Sequence, residues 1–259
     1  MNYTWSDPET VLYYERFCRR HSRYRAANAE LVRHAVLGCA MRVLDAAAGT
    51  GLTAEAALTL LGPRGRVVCF EPSPAMRTAG RARCGDPRVR WLAEWPALPR
   101  QFDRILIGAA IWQMLPLERT FLMAAALLKR GGALCFNIPS LYLGRPGDPG
   151  GGSDPLLLQL PRAVSSEGRT MAPPGAPLPS VERISQALRA AGFEPHEWSF
   201  RRRFSQAAYC DWLKIPVLTN FLMPELDARA RARRLNAAFR RSDSKSWRWE
   251  QWSGWTAWK

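Results

Sequence analysis

The chain reads as an α/β fold built on a parallel sheet, and three observations predict it. Short β-rich apolar runs alternate with helical patterns between residues 41 and 138. That rhythm calls for crossover connections covering both faces of a parallel sheet. The first run passes into a helix through a glycine pair, Gly49 and Gly51, where a backbone without Cβ atoms can lie against a ligand at a helix N-terminus. Acidic side chains, Asp45, Glu71 and Glu94, stand at the ends of the first three runs. Open α/β sheets bind their ligands along that edge.

Asp7, Pro8 and Glu9 supply an N-cap acid, a proline at the first helical position and a first-turn acid, so a helix is expected to about residue 20. A second helix is expected over 26–37, ended by Gly38. Residues 41–44 form the opening strand, closed by Asp45. A helix over 53–61 follows, and Gly62 with Pro63 stops it. Strand 66–70 ends at Glu71. Ser73 and Pro74 repeat the cap-plus-proline grammar and open a helix to about residue 83. Strands over 89–92 and 103–107 come next. Helical spacing over 117–128 is capped by residues 129–132, and 133–138 make the fifth strand.

Residues 139–179 break the rhythm. They are rich in Pro, Gly and Ser and too long for an ordinary connection, so they read as a lid or a partly disordered segment with a short helix over 156–160. Ser180 caps a helix to residue 191, and 193–200 reads as a strand. Helices over 205–213 and 225–239 follow, then a Trp-rich strand over 247–258. The expected organisation is one domain: a helical cap (1–38), a cofactor-binding half (39–138), a substrate loop or lid (139–180) and a C-terminal half (181–259).

With 259 residues and 47% hydrophobic content the chain can bury a sizeable core. It contains no run of eighteen apolar residues and no basic-then-apolar leader pattern, so the sequence is expected to be soluble and cytoplasmic. Six cysteines, Cys18, Cys39, Cys69, Cys84, Cys135 and Cys210, lack any C-x-x-C pair, which predicts free thiols and no metal site. The formal net charge of +15 is carried mainly by arginine. Arginine with abundant Ala, Pro and Gly is also what a GC-rich genome produces, so the charge permits an anionic partner without specifying one.

A glycine turn with a distal acid fits two cofactors, and a plain tight connection is also open. The string GTGLTA at 49–54 satisfies the G-x-G-x-x-A dinucleotide pattern. Against NAD stands Asp45, where a pyrophosphate would be repelled. Two helices before the strand and the lack of a Tyr-x-x-x-Lys pair argue the same way.

The segments VLDAAAGTG (43–51), EPSPAM (71–76), WLAEWPALP (91–99) with Phe102 and Asp103, and LLKRGGAL (127–134) together resemble the motifs of class I S-adenosylmethionine-dependent methyltransferases. AGF at 191–193 and the Trp-rich strand agree with that family's closing hairpin. Ala47 departs from the pattern, since many members carry glycine there.

The resemblance implies a Rossmann-like, doubly wound seven-stranded sheet with the last strand antiparallel and an N-terminal helical cap, binding S-adenosylmethionine across the strand ends. On matching positions, Asp45, Ala47, Gly49 and Gly51 would serve the methionine and ribose portion, and Glu71 the ribose hydroxyls. Pro72 and Met76 would border the adenine. Glu94 would accept from its exocyclic amine, with Trp95 offering a backbone N–H. Gly108 to Ile111 would pass beneath the methionine end.

Methyl transfer from a sulfonium needs alignment and desolvation more than acid–base help, and no catalytic base is identified. His21, His34 and His196 are lone histidines with structural roles expected. Tyr13 and Tyr14 on the cap, Trp112, Gln113, Asn137 and Tyr142 are the expected substrate contacts, with Tyr24 nearby. They suit a small, planar or apolar acceptor, anionic or carrier-bound, as in natural product biosynthesis. Two other readings remain: an RNA-binding relative using the Arg-rich 229–241 helix, although no RNA-binding module is present, and a fold that binds the cofactor without transferring methyl.

Overall fold

The computed structural model describes residues 3–143, 180–218, 223–242, 245 and 247–259. The expected lid and the short helix over 156–160 lie outside the described residues. Eight helices and seven strands appear among those described: α1 (Pro8–Arg20), α2 (Arg23–His34), β1 (Arg42–Ala46), α3 (Leu52–Leu58), β2 (Arg66–Phe70), α4 (Pro74–Arg83), β3 (Val89–Leu92), β4 (Phe102–Gly108), α5 (Leu117–Leu127), β5 (Leu128–Pro139), α6 (Val181–Ala190), β6 (Glu194–Ser205), α7 (Gln206–Leu213), α8 (Ala228–Arg241) and β7 (Trp247–Trp258).

The strands form one sheet in the order β3-β2-β1-β4-β5-β7-β6. The first five are parallel to one another. β7 enters between β5 and β6 and runs antiparallel to both. This is the doubly wound, seven-stranded sheet with its last strand antiparallel that the resemblance implied.

Alternation along the strands sends side chains to two faces. Val43, Val67, Cys69, Leu106 and Cys135 pack with Leu31 and Val32 of α2 and Ala54 and Ala57 of α3. Leu44, Val68, Ile105, Leu134 and Phe136 meet Phe121 of α5, Ile184 of α6 and Trp255 on the other face. All these strand residues are almost fully excluded from water, which is why β1, β4 and β5 read as continuous apolar runs.

Several boundaries differ from expectation: α2 already ends at His34 and α3 at Leu58, and α8 begins only at Ala228. α2 begins at Arg23, because the Arg23 guanidinium is buried against Glu250. Residues 129–132 do not cap α5; they open β5, and the β4–β5 register shifts between Phe102 and Arg104, with Gly131 at φ +70. β6 runs through to Ser205, since β7 supplies a partner for Arg201, Arg202 and Arg203.

Candidate functional site at the C-terminal strand edge

The glycine turn leaves β1 through a run of left-handed backbone: Ala47 at φ +57, Gly49 at +55 and Gly51 at +85. The turn closes on itself, with the Gly51 amide donating to the Ala48 carbonyl at 2.8 Å, and hangs from β2 through Ala48 N to Phe70 O at 2.9 Å. Ala47 adopts a conformation that favours glycine, which accounts for the glycine found there in the resembled family. A Cβ added to Gly49 would meet nothing within 4 Å, whereas one on Gly51 would lie 3.2 Å from the Trp91 ring. Gly49 therefore presents open backbone; Gly51 faces the Trp91 ring, and its left-handed φ itself favours glycine.

Beside this turn, at the end of β2, the Glu71 carboxylate accepts two backbone amides, Gly49 N at 2.8 Å and Ser73 N at 2.9 Å. Each oxygen keeps a lone pair for a further donor. Burial raises the Glu71 pKa, opposed by the Ser73 and Gly49 amides and by Arg77. The Ser73 hydroxyl caps α4 by accepting from Met76 N at 3.2 Å and donates to the Trp5 carbonyl of the N-terminal cap at 3.2 Å. Arg77 donates to the carbonyls of Glu71 and Pro72.

Asp45 is fully buried, and its Oδ2 accepts from Ala54 N at the start of α3 at 3.0 Å. Its Oδ1 has no partner among the described residues. Burial pushes its carboxyl up to about 8; the Ala54 amide opposes the shift and the Glu71 charge adds to it. Asp45 thus anchors the helix behind the turn and does not line an open surface. Met76, expected at the adenine edge, is likewise buried, whereas Pro72 is exposed.

Between β3 and β4 no helix intervenes. Residues 93–101 connect them through bends, with Arg100 at φ +52; Trp95 stacks on Phe70 with centroids 5.0 Å apart, and Glu94 stands exposed. A groove of about 420 Å³ runs beneath, lined by Val68, Leu92, Glu94, Trp95 and Phe102.

At the end of β4, a Cβ on Gly108 would strike Thr53 Oγ1 at 2.4 Å and Asn28 Oδ1 at 2.8 Å. Its glycine serves packing by α2 and α3. Ala109 follows at φ +55, and its amide donates to Asn137 Oδ1 at 2.9 Å. Asn137 Nδ2 donates to the Ala27 carbonyl. Asn137, expected as a substrate contact, is fully buried and ties β4 and β5 to α2.

Ile111 is buried, Gln113 exposed. The Trp112 ring stacks on Tyr142 at 4.5 Å and 9° and its Nε1 donates to the Ala109 carbonyl. Tyr13 and Tyr14 are half-buried on α1, Tyr14 with its centroid 5.5 Å from Tyr24. The histidines have structural partners: His21 bonds Asp211 at 2.9 Å, and His34 stacks on Trp198 at 4.1 Å.

A family model described as a methyltransferase domain matches residues 43–132, the stretch that holds this turn and both acids. The rest of the chain lies outside that match. Solved structures agree on its fold. A candidate methyltransferase from Bacillus halodurans C-125 is 18% identical with a TM-score of 0.58, covering 90% of this chain and 98% of that one. Phosphoethanolamine N-methyltransferase 2 from Haemonchus contortus, solved with phosphomonomethylethanolamine and S-adenosylhomocysteine, is 16% identical with a TM-score of 0.54, covering 90% of this chain and 52% of that one. The [4+2]-cyclase SpnF is 19% identical with a TM-score of 0.53, covering 89% of this chain and 79% of that one. At such identities the likeness establishes the fold. Among curated protein sequences none matches significantly.

Sequence reasoning missed three contributors to the glycine turn: Ser73 as a Glu71 partner, Arg77 as the brace of its backbone, and Trp91 as a neighbour of Gly51. Ser73 was visible as a helix cap. Nothing in the one-dimensional pattern tied Trp91 to Gly51.

Proposed function

We propose that the chain transfers a methyl group from S-adenosylmethionine to a small molecule at the C-terminal edge of the sheet. One observation carries the reading: the open Gly49 backbone and the Glu71 carboxylate are already joined at 2.8 Å, a cradle with a diol acceptor beside it. Ala47 and Gly49 border the ribose and methionine portion, with Gly51 closing the turn behind them. The Glu71 oxygens accept the ribose hydroxyls through their remaining lone pairs. Pro72, Glu94 and the Trp95 amide border the adenine. Residues 108–111 run below the methionine end. Asp45, Met76 and Asn137 act from behind by holding the backbone.

When bound, S-adenosylmethionine supplies an electrophilic methyl on a sulfonium. The chain's own task is to align the acceptor and exclude water. The half-buried Tyr13 and Tyr14, the Trp112–Tyr142 stack and Gln113 form the wall proposed for it, suited to a planar or apolar specialised metabolite, anionic or carrier-bound. The six free cysteines support work in a reducing cytoplasm.

Calorimetry with S-adenosylmethionine and S-adenosylhomocysteine tests the cofactor reading, with micromolar binding expected and none overturning it. The likeness to a [4+2]-cyclase keeps a second reading in view, in which the cofactor is held and no methyl moves. Product mass separates the two: transfer adds one methylene unit.

A further inference from the structure

β7 reaches beyond the sheet. Its residues from Trp252 onward pair with β5, where Trp252 meets Pro139 at the C-terminal end of that strand. Its first five residues pair with β6 alone, from Trp247 opposite Ser205 to Gln251 opposite Arg201. This two-stranded ribbon therefore projects past the edge that holds the proposed site.

One face of the ribbon alternates arginine and tryptophan. The Arg201 guanidinium lies over Trp249 at 5.2 Å and that of Arg203 over Trp247 at 5.1 Å. Trp247 is 57% exposed and Trp249 61%. Two other exposed apolar side chains share this edge: Leu115, just after β4, and Leu12 on the cap helix α1. The cap crosses the same edge, since the Trp5 carbonyl meets Ser73 and Arg23 meets Glu250.

α8 leads toward the ribbon with exposed Arg229, Arg233, Arg234 and Arg240 and contains no acidic residue. Its own apolar stripe, Leu235 and Ala238, is buried, so the helix offers charge and the ribbon offers the apolar tip.

We propose that this edge is a peripheral docking face for an anionic lipid bilayer. Indoles settle at the headgroup level, where an apolar body and a polar N–H are both satisfied, and arginines pair with lipid phosphates. The exposed Leu115 at this edge favours a bilayer over a nucleic acid, because leucine offers nothing to a base or phosphate but partitions into acyl chains. A guanidinium already covers one face of each indole, which leaves less room for base stacking. No helix among the described residues is long and apolar enough to cross a membrane, so the attachment is to the surface.

Vesicle flotation tests this independently of methyl transfer. The full chain is mixed with vesicles of phosphatidylcholine containing about one-third phosphatidylglycerol and with pure phosphatidylcholine vesicles, at low and high salt. Binding to the anionic vesicles is expected to be at least about tenfold stronger and to weaken with salt. Replacing both Trp247 and Trp249 by Ala should cut it by roughly fivefold or more while S-adenosylhomocysteine affinity stays unchanged. Brominated lipids should quench tryptophan emission in the parent chain and less in the double variant. No vesicle binding overturns the proposal, as does binding indifferent to the tryptophans. Tighter, tryptophan-dependent binding to a single-stranded oligouridine would overturn it in favour of a nucleic-acid surface.

Discussion

Glu71 Oε2 accepts the Gly49 amide at 2.8 Å, so the acid at the end of β2 is bonded to the turn at the end of β1. The carboxylate acts first as a brace and then, in the proposed function, as a receptor. Its removal should be felt twice. Glu71→Ala is expected to weaken S-adenosylhomocysteine binding by tens-fold or more, since hydrogen bonds to a charged partner contribute about 1.5–3 kcal/mol each. Amide exchange at Gly49 should also quicken in the free protein. Unchanged affinity would show that the ribose lies elsewhere.

Asp45 makes stability depend on pH. Its carboxyl is pushed up to about 8 by burial, so the folded chain holds that proton more tightly than the unfolded chain does. Folding therefore loses ground as pH climbs from the ordinary carboxylate range toward 8, by at most about 1.4 kcal/mol per pH unit for one group. Denaturant titrations at successive pH values should show this decline. Asp45→Asn, which keeps an acceptor for the Ala54 amide, should flatten it. Parallel curves for the two chains would contradict the assignment.

Gly254 lies beneath Trp198, and an added Cβ would come within 2.2 Å of that ring. Gly254→Ala is expected to cost about 1–3 kcal/mol by overpacking, seen as a lower melting temperature. Trp198→Leu in the same chain should recover part of the loss. If the alanine is silent, the two strands have more slack than their register implies.

Arg23 and Glu250 form a buried ion pair among Tyr24, Phe204, Trp212 and Trp252, with the guanidinium 4.3 Å from the Trp212 centroid. Glu250→Gln leaves an uncompensated buried cation and should destabilise by about 3–5 kcal/mol. Replacing both residues with apolar ones of similar volume should restore much of that. A double variant no better than the single one would mean the pair is needed for packing as well as charge.

Much of this architecture is legible locally. The bounds of α1, β2, α4, β3 and β7 match expectation because capping residues, prolines and β-rich runs announce them within a few positions. Two of the misplacements come from a partner far along the chain. Arg201, Arg202 and Arg203 look like a loop until β7 arrives to pair with them, and Arg23 looks like a solvated residue until Glu250 meets it. Asn137 was placed at the substrate by its position at a strand end, yet its amide is spent on Ala109 and Ala27. The two acids illustrate the same limit: Asp45 and Glu71 look alike in sequence, and only the fold turns one inward to a helix and the other toward open backbone.

The position of β7 inside the sheet has a consequence for how the polypeptide is made. It is the last of the seven strands to leave the ribosome, yet it sits between β5 and β6. The half that carries the glycine turn can assemble during synthesis, because β1 to β4 find all their strand partners among the first five strands. β6 has to wait beside an unfilled gap until β7 emerges and slots in. A nascent chain halted before Trp247 would expose the open flank of β5, which makes that interval the one in which a chaperone has most to protect.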